Sequence, residues 1–265
     1  MSEKTGRMRD GMKKGIYVLP NLFTTASMLC GFYSVVVSTH GHFETAAWAI
    51  MAALVLDGLD GRIARMTNTT SKFGAEYDSL ADLVAFGVAP SILAYTWSLH
   101  AFGKWGWLAA FLFVTCGALR LARFNIQIGI IESKVFNGLP IPGAASVIAT
   151  GVLLYHYMGF QGLFPNTGVL VGVICLSLFM VSSIKYYSFK DLNFFARKPF
   201  ISFVLIVFIL VIIVAEPQIM VFTFFAGYSL SGPAWLLYKL IRRAIYGAEG
   251  KNSAGHADTH PMTKK

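Results

Sequence analysis

Apolar stretches recur along this chain and are separated by short polar segments. A helix needs roughly 20 residues to cross the hydrocarbon core of a bilayer, and on that measure the pattern predicts about eight transmembrane helices. The predicted spans are 21–38, 45–66, 74–99, 105–124, 141–160, 167–183, 199–215 and 219–241. We therefore expect an all-α, polytopic membrane protein.

Composition supports a membrane protein. Hydrophobic residues make up 55% of the chain and charged residues 13%, whereas soluble domains carry roughly 25% charged residues. The net charge of +9 would also suit a nucleic-acid-binding protein. However, Lys and Arg lie in short clusters between apolar runs, which is the pattern that orients membrane proteins. We expect the lipid bilayer, and no nucleic acid, as the partner of this surface.

The basic residues fall almost entirely on one side of the predicted bundle. If the N-terminus is cytoplasmic, Lys104 is the only Lys or Arg in the outer connections. The positive-inside rule then predicts a protein of the cytoplasmic membrane with both termini in the cytoplasm. We expect a basic segment at 1–15, able to form an interfacial helix, a transmembrane domain at 16–246, and a disordered polar tail at 247–265.

Four aspartates interrupt the apolar pattern where the second span ends and the third begins. Asp57 and Asp60 are spaced i, i+3, and Asp78 and Asp82 are spaced i, i+4, so each pair shares one helix face. The connection between the two spans is short, which predicts antiparallel neighbours. We expect both pairs to meet near the cytoplasmic end, where unpaired carboxylates are costly and need a compensating partner.

Three kinds of site would explain four carboxylates at this position. Two divalent ions such as Mg²⁺ or Mn²⁺ would balance them and hold a pyrophosphate. A transporter would use them as a proton or cation relay. A structural network would pair them with Arg62, Arg65 and Lys72. A relay is disfavoured because the acids cluster at one end of the predicted spans.

The spacing itself is the most specific signal in the chain. Residues 57–82 read D-x-x-D-G-x-x-A-R-x8-G-x-x-x-D-x-x-x-D. This pattern resembles the signature of the CDP-alcohol phosphotransferase family, and its fixed positions are Asp57, Asp60, Gly61, Ala64, Arg65, Gly74, Asp78 and Asp82. The resemblance implies a membrane enzyme with two Mg²⁺ or Mn²⁺ ions per active site and, by analogy, a homodimer.

The resemblance also implies roles for individual residues. Asp57, Asp60 and Asp78 would bind the metals, and Asp82 would contact the second metal and act as the catalytic base. The residues implied to contact the CDP part of CDP-diacylglycerol are Asn21, Thr24, Gly61, Arg65 and Ser71. A helix cap is the alternative interpretation of Asn21 and Thr24.

Three further segments resemble the phosphatidylserine synthase branch of the family: 86–90 (FGVAP), 117–125 (GALRLARFN) and 136–142 (FNGLPIP). The expected reaction is transfer of a phosphatidyl group from CDP-diacylglycerol to L-serine. Arg120 and Arg123 can bind a carboxylate bidentately, and Asn125 adds a neutral donor and acceptor. The same arginines would suit a cytoplasmic flank or a phosphate-bearing acceptor. One alternative is the same reaction with glycerol 3-phosphate or choline as the acceptor. The other is an ion-coupled transporter.

Overall fold

The computed structural model describes residues 2–66, 71–127, 135–187 and 215–254, and α-helices account for most of them. The helices are α1 (Ser2–Thr39), α2 (Phe43–Met66), α3 (Lys72–Asp82), α4 (Ala89–Trp97), α5 (Lys104–Gln127), α6 (Ile141–Tyr157), α7 (Thr167–Val181) and α8 (Pro217–Ala254). A π-helical turn, Leu83–Val88, joins α3 to α4, and a short 3-10 helix, Leu99–Phe102, follows α4.

Helical segments in the described part of the chain are long and apolar enough, by length and composition, to cross a membrane. They are Pro20–Thr39, Lys72–Trp97, Lys104–Ile126 and Pro217–Lys239, and α6 and α7 are shorter apolar helices. Large side chains such as Leu29 and Phe111 are 65% and 62% exposed, which suits contact with lipid. The predicted polytopic helical fold is confirmed. The predicted span 199–215 lies outside the described residues, so the number of spans stays a prediction.

The first and last helices extend beyond the predicted spans. Helix α1 begins at Ser2, so the basic segment 1–15 continues directly into the first span. Helix α8 ends at Ala254, inside the segment predicted as a polar tail. Residues 255–265 lie outside the described part, and the division into segment, domain and tail stays a prediction.

Small residues let the helices approach closely. A Cβ atom added at Gly31 of α1 would lie 2.5 Å from the Cα atom of Ala85. Such backbone-to-backbone contact is typical of helix packing in membranes, where small residues take the place of large apolar ones at interfaces. It fixes α1 against the π-helical turn that immediately follows Asp82.

The third predicted span is not one uniform helix. The π-helical turn separates α3, which carries Asp78 and Asp82, from α4, which has Pro90 in its first turn. Proline has no amide hydrogen to donate to the carbonyl four residues earlier. π-Helical turns occur inside helices mostly as single turns and frequently at functional sites. The interruption of this span therefore includes Pro90 and the turn that follows the aspartates.

A small antiparallel ribbon was not predicted. Its strands are β1 (Val135–Asn137) and β2 (Lys185–Tyr187). Gly138 follows β1 with a φ of 83°, which favours glycine, and its N–H donates to the carbonyl of Ile184 at 2.9 Å. The ribbon thus fixes the start of α6 beside the end of α7.

Candidate active site

Helices α2 and α3 bring the predicted carboxylates together. One carboxylate oxygen from each of Asp57, Asp60 and Asp78 lies within 4.8 Å of the others. Asp60 is buried, with 5% of its surface exposed, and Asp57 and Asp78 are half-buried. The predicted convergence of the two helix faces is confirmed for these three residues.

Asp82 lies at the side of this cluster, and its carboxyl group makes a hydrogen-bond contact with that of Asp57. Within the described side chains, no ion pair joins the aspartates to Arg62 or Lys72. The side chain of Arg65 lies outside the described part. The structural network is therefore not formed by Arg62 and Lys72.

The donor set fits a divalent metal ion. Carboxylate oxygens are hard ligands of the kind that Mg²⁺ and Mn²⁺ prefer. The three acids come from two helices that also pack against α1, so their positions are set by the bundle. The predicted metal-binding cluster is thus present, and Asp57, Asp60 and Asp78 are the residues that would hold an ion.

Two adjacent threonines of α1 attach to the two helices that carry the acids. The Thr24 hydroxyl donates to Oδ2 of Asp60 on α2 at 2.8 Å, and both side chains are buried. The Thr25 hydroxyl lies 2.8 Å from the hydroxyl of Tyr77 on α3. Tyr77 directly precedes Asp78, so α1 holds both sides of the cluster.

Two of the residues predicted to contact the CDP group, Asn21 and Ser71, lie beside Gly74 in the first turn of α3. Ser71 caps α3 by accepting from the N–H of Gly74 at 2.9 Å. A Cβ atom at Gly74 would lie 3.1 Å from the Ser71 hydroxyl and 3.4 Å from Oδ1 of Asn21. A Cβ atom at Gly61 would meet no described atom within 4 Å. The structure brings Asn21 and Ser71 together, and it leaves open space at Gly61.

The three residues predicted to contact the acceptor have different surroundings. The Nε atom of Arg120 is buried without a hydrogen-bond partner, and the guanidinium interacts electrostatically with Asp82 and Tyr228. Arg123 donates from Nη1 to the carbonyl of Val181 on α7 at 3.5 Å. Asn125 bonds to Ser79 and Glu76 on α3. Of the three, Arg120 is the one that interacts with a residue of the acid cluster.

The three segments that resemble the serine branch meet at the side chain of Ile141. A Cβ atom at Gly117 would lie 2.6 Å from Cδ1 of Ile141, and one at Gly87 would lie 3.6 Å from the same atom. Gly87 lies in the π-helical turn, Gly117 lies on α5 one turn before Arg120, and Ile141 begins α6. Their packing sets the position of α5 relative to the helix that carries Asp82.

Comparison with known protein families shows where this chain belongs. The sequence model described as CDP-alcohol phosphatidyltransferase matches residues 17–181, a region that contains the four aspartates and Arg120. This chain belongs to the CDP-alcohol phosphatidyltransferase family. The predicted membrane-bound transferase of phospholipid biosynthesis is confirmed. The family match ends before α8, so Tyr228 lies outside it.

Curated relatives are similar over much of their length. A CDP-diacylglycerol–serine O-phosphatidyltransferase of Helicobacter pylori is 40% identical over 232 residues, which cover 86% of this chain and 94% of the relative. One from Bacillus subtilis is 36% identical over 65% of this chain and 91% of the relative. The archaetidylserine synthase of Methanothermobacter thermautotrophicus is 36% identical over 68% of this chain and 73% of the relative.

Sequence reasoning missed Tyr77, Glu76 and Tyr228 as neighbours of the site. Glu76 and Tyr77 lie inside the signature but at variable positions, where the spacing carries no information. Tyr228 lies on α8, far along the chain from the cluster, and its interaction with Arg120 depends on how α8 packs on α6. No local pattern in the sequence could have identified it.

Proposed function

We propose that this member of the family transfers the phosphatidyl group of CDP-diacylglycerol to the hydroxyl of L-serine, giving phosphatidylserine and CMP. The observation that carries the proposal is the convergence of Asp57, Asp60 and Asp78, whose oxygens lie within 4.8 Å of one another. Serine is the acceptor because relatives that cover most of the chain carry that activity in their names.

The acid cluster would hold two Mg²⁺ or Mn²⁺ ions, with Asp57, Asp60 and Asp78 as ligands and Asp82 contacting the second. When bound, such ions neutralise the pyrophosphate and stabilise the charge that develops on the transferred phosphoryl group. The protein's own contribution is to fix four carboxylates on two helices that both pack against α1, so that little reorganisation is needed during the reaction.

Asp82 is the proposed base. It takes the proton from the serine hydroxyl while the hydroxyl oxygen forms a bond to the phosphorus that carries diacylglycerol. The bond from that phosphorus to the CMP oxygen breaks, and CMP leaves with the electron pair. Arg120 is the proposed ligand of the serine carboxylate, because it interacts with Asp82 and keeps a buried N–H without a partner. Arg123 is a second candidate.

The nucleotide end of the lipid substrate would lie beside the middle of α1, the end of α2 and the start of α3. The proposed contacts are Asn21, Thr24, Gly61, Arg65 and Ser71. The open space at Gly61 supports a close approach of the substrate to the α2 backbone. The acyl chains stay in the bilayer, against exposed apolar side chains of the bundle.

The setting of the enzyme is also part of the proposal. The basic connections support an orientation in which the acid cluster and both termini lie on the cytoplasmic face of the cytoplasmic membrane. A homodimer is proposed by analogy with the family. We divide the chain into a basic N-terminal segment at 1–15, a catalytic domain at 16–246 and a polar tail at 247–265.

The test is CMP release by the purified protein in detergent, with CDP-diacylglycerol, Mn²⁺ or Mg²⁺, and one acceptor at a time. L-serine, glycerol 3-phosphate and choline are the three acceptors to compare. We expect CMP only with serine and only with metal. CMP with another acceptor would overturn the serine assignment. No CMP with any acceptor, from protein that unfolds cooperatively, would overturn the reaction and favour the transporter.

A further inference from the structure

A polar seam runs between the antiparallel helices α3 and α5. At its outer edge, next to the α2–α3 connection, Glu76 and Ser79 of α3 contact Asn125 of α5. Deeper in the seam, Asp82 of α3 interacts with Arg120 of α5. Both interactions follow the same antiparallel register, so the seam leads from Glu76 to the proposed base.

The seam has fewer hydrogen-bond donors than acceptors. The Ser79 hydroxyl has one hydrogen and two acceptors, the carbonyl of Ala75 at 3.1 Å and Oδ1 of Asn125 at 3.2 Å. Nδ2 of Asn125 donates to Ser79 Oγ at 3.0 Å and to Glu76 Oε2 at 3.4 Å. When Ser79 donates to Ala75, both Nδ2 hydrogens are used and Oδ1 of Asn125 has no donor.

The two ends of the seam carry opposite charges, with Glu76 at one end and Arg120, which interacts with Asp82, at the other. Among the described side chains, no Lys or Arg forms an ion pair with Glu76. Arg120 keeps its buried Nε–H without a hydrogen-bond partner. Asp82 follows Glu76 by six positions on α3, an axial rise of about 9 Å. The proposed acceptor is itself a small zwitterion, with a carboxylate for Arg120 and an ammonium group for an acid at the other end of the seam.

We propose that Glu76, together with Oδ1 of Asn125, binds the ammonium group of the acceptor. This contact makes Glu76 a specificity-determining residue. This inference rests on the proposed function, because it assigns the part of the acceptor that Arg120 does not bind. An ammonium group supplies the donors and the positive charge that Glu76 and Asn125 lack. A phosphate-bearing acceptor would instead be repelled by Glu76, which disfavours it without a steric clash.

The experiment compares L-serine with 3-hydroxypropanoate, which is serine without its amino group. CMP release gives kcat and KM for each acceptor, for the wild-type protein and for Glu76→Gln, which keeps the shape of the side chain and removes its charge. We expect Glu76→Gln to raise the KM for serine by about ten- to a hundredfold, the range for losing one hydrogen bond between charged groups. The kcat/KM for 3-hydroxypropanoate and the KM for CDP-diacylglycerol should stay unchanged. The ratio of kcat/KM for serine to kcat/KM for 3-hydroxypropanoate should therefore fall.

Two further variants serve as controls. Glu76→Asp keeps the charge on a shorter side chain and should retain part of the preference for serine. Glu44→Gln removes an exposed glutamate at the start of α2, at the other end of that helix from the cluster, and should behave as wild type. An unchanged ratio of serine to 3-hydroxypropanoate in Glu76→Gln would overturn this inference alone. A wild-type protein that does not use serine would overturn the proposed acceptor, and the role of Glu76 with it.

Discussion

The Thr24 hydroxyl on α1 donates to Oδ2 of Asp60 on α2 at 2.8 Å, and the two side chains are 4% and 5% exposed. Thr24 therefore belongs to the surroundings of the acid cluster as well as to the proposed nucleotide contacts. A hydrogen-bond partner behind a metal ligand fixes the orientation of the carboxylate and tunes its affinity for the ion. The pair is thus expected to influence metal binding.

The first prediction concerns Thr24→Val, which replaces the hydroxyl by a methyl group of similar size. We expect the Mn²⁺ concentration for half-maximal CMP release to rise by about 10- to 100-fold, because losses of outer-shell partners typically have that effect. Thr24→Ser keeps the hydroxyl and should stay close to wild type. Thr25→Val is the matched control, since the partners of the Thr25 hydroxyl are the carbonyl of Asn21 and the hydroxyl of Tyr77, and neither is an acid. A raised KM for CDP-diacylglycerol with unchanged metal dependence would assign Thr24 to the nucleotide alone.

The second prediction concerns Asp78→Asn, which keeps the size of the side chain and removes its charge. We expect turnover to fall by more than about a hundredfold, since even outer-shell substitutions cost about 10- to 100-fold. The purified variant should show the wild-type yield and thermal unfolding without metal. Mn²⁺ should raise the unfolding temperature of the wild type, because an ion that binds only the folded state stabilises it, and it should raise that of the variant less. Near-normal turnover would contradict the metal assignment.

The sequence alone was enough to predict the meeting of Asp57, Asp60 and Asp78. Their spacing matches the helical repeat, and a short connection leaves two apolar helices few arrangements other than antiparallel neighbours. The contact of Asn125 with Glu76 could not be predicted in the same way. Those residues are 49 positions apart, and their register depends on how Ile141 packs against Gly117. Such packing is decided by side-chain shape and leaves no periodic pattern.

In the fold, too, some features could be predicted from the sequence and others could not. Hydropathy predicted the helices of the described region because burial in lipid requires long apolar runs. It did not predict the π-helical turn at Leu83–Val88, because one widened turn does not change the apolar composition of the span. The ribbon of β1 and β2 was missed as well, since three residues are too few for an alternating pattern to show. These local irregularities position Asp82 and the start of α6.

The third prediction concerns the contact between Gly31 and Ala85. Gly31→Ala would bring a methyl group to 2.5 Å from the Ala85 Cα atom, and the backbone would have to shift. We expect a loss of about 1–3 kcal/mol in the free energy of unfolding, the usual cost of overpacking, and a lower kcat because the π-helical turn after Asp82 moves.

Thermal unfolding in detergent checks this expectation. Gly227→Ala on α8 is the control, because a Cβ atom there would meet no described atom within 4 Å. That control variant should be unchanged or slightly more stable, since alanine favours helix over glycine by up to about 1 kcal/mol. Equal unfolding temperatures for the two variants would show that α1 does not depend on backbone contact at Gly31.

The last prediction separates the two arginines of α5. Arg120 interacts with Asp82, whereas Arg123 donates to the carbonyl of Val181 near the end of α7. We expect Arg120→Gln to raise the KM for serine by roughly 10- to 100-fold, as for loss of a charge-assisted hydrogen bond, with the KM for CDP-diacylglycerol unchanged. Arg120→Lys should recover only part of the loss, because lysine cannot bind a carboxylate bidentately. Arg123→Gln should change either KM little and should mainly lower the unfolding temperature. A larger effect of Arg123→Gln on the KM for serine would exchange the two roles and place the acceptor carboxylate on the α7 side of α5.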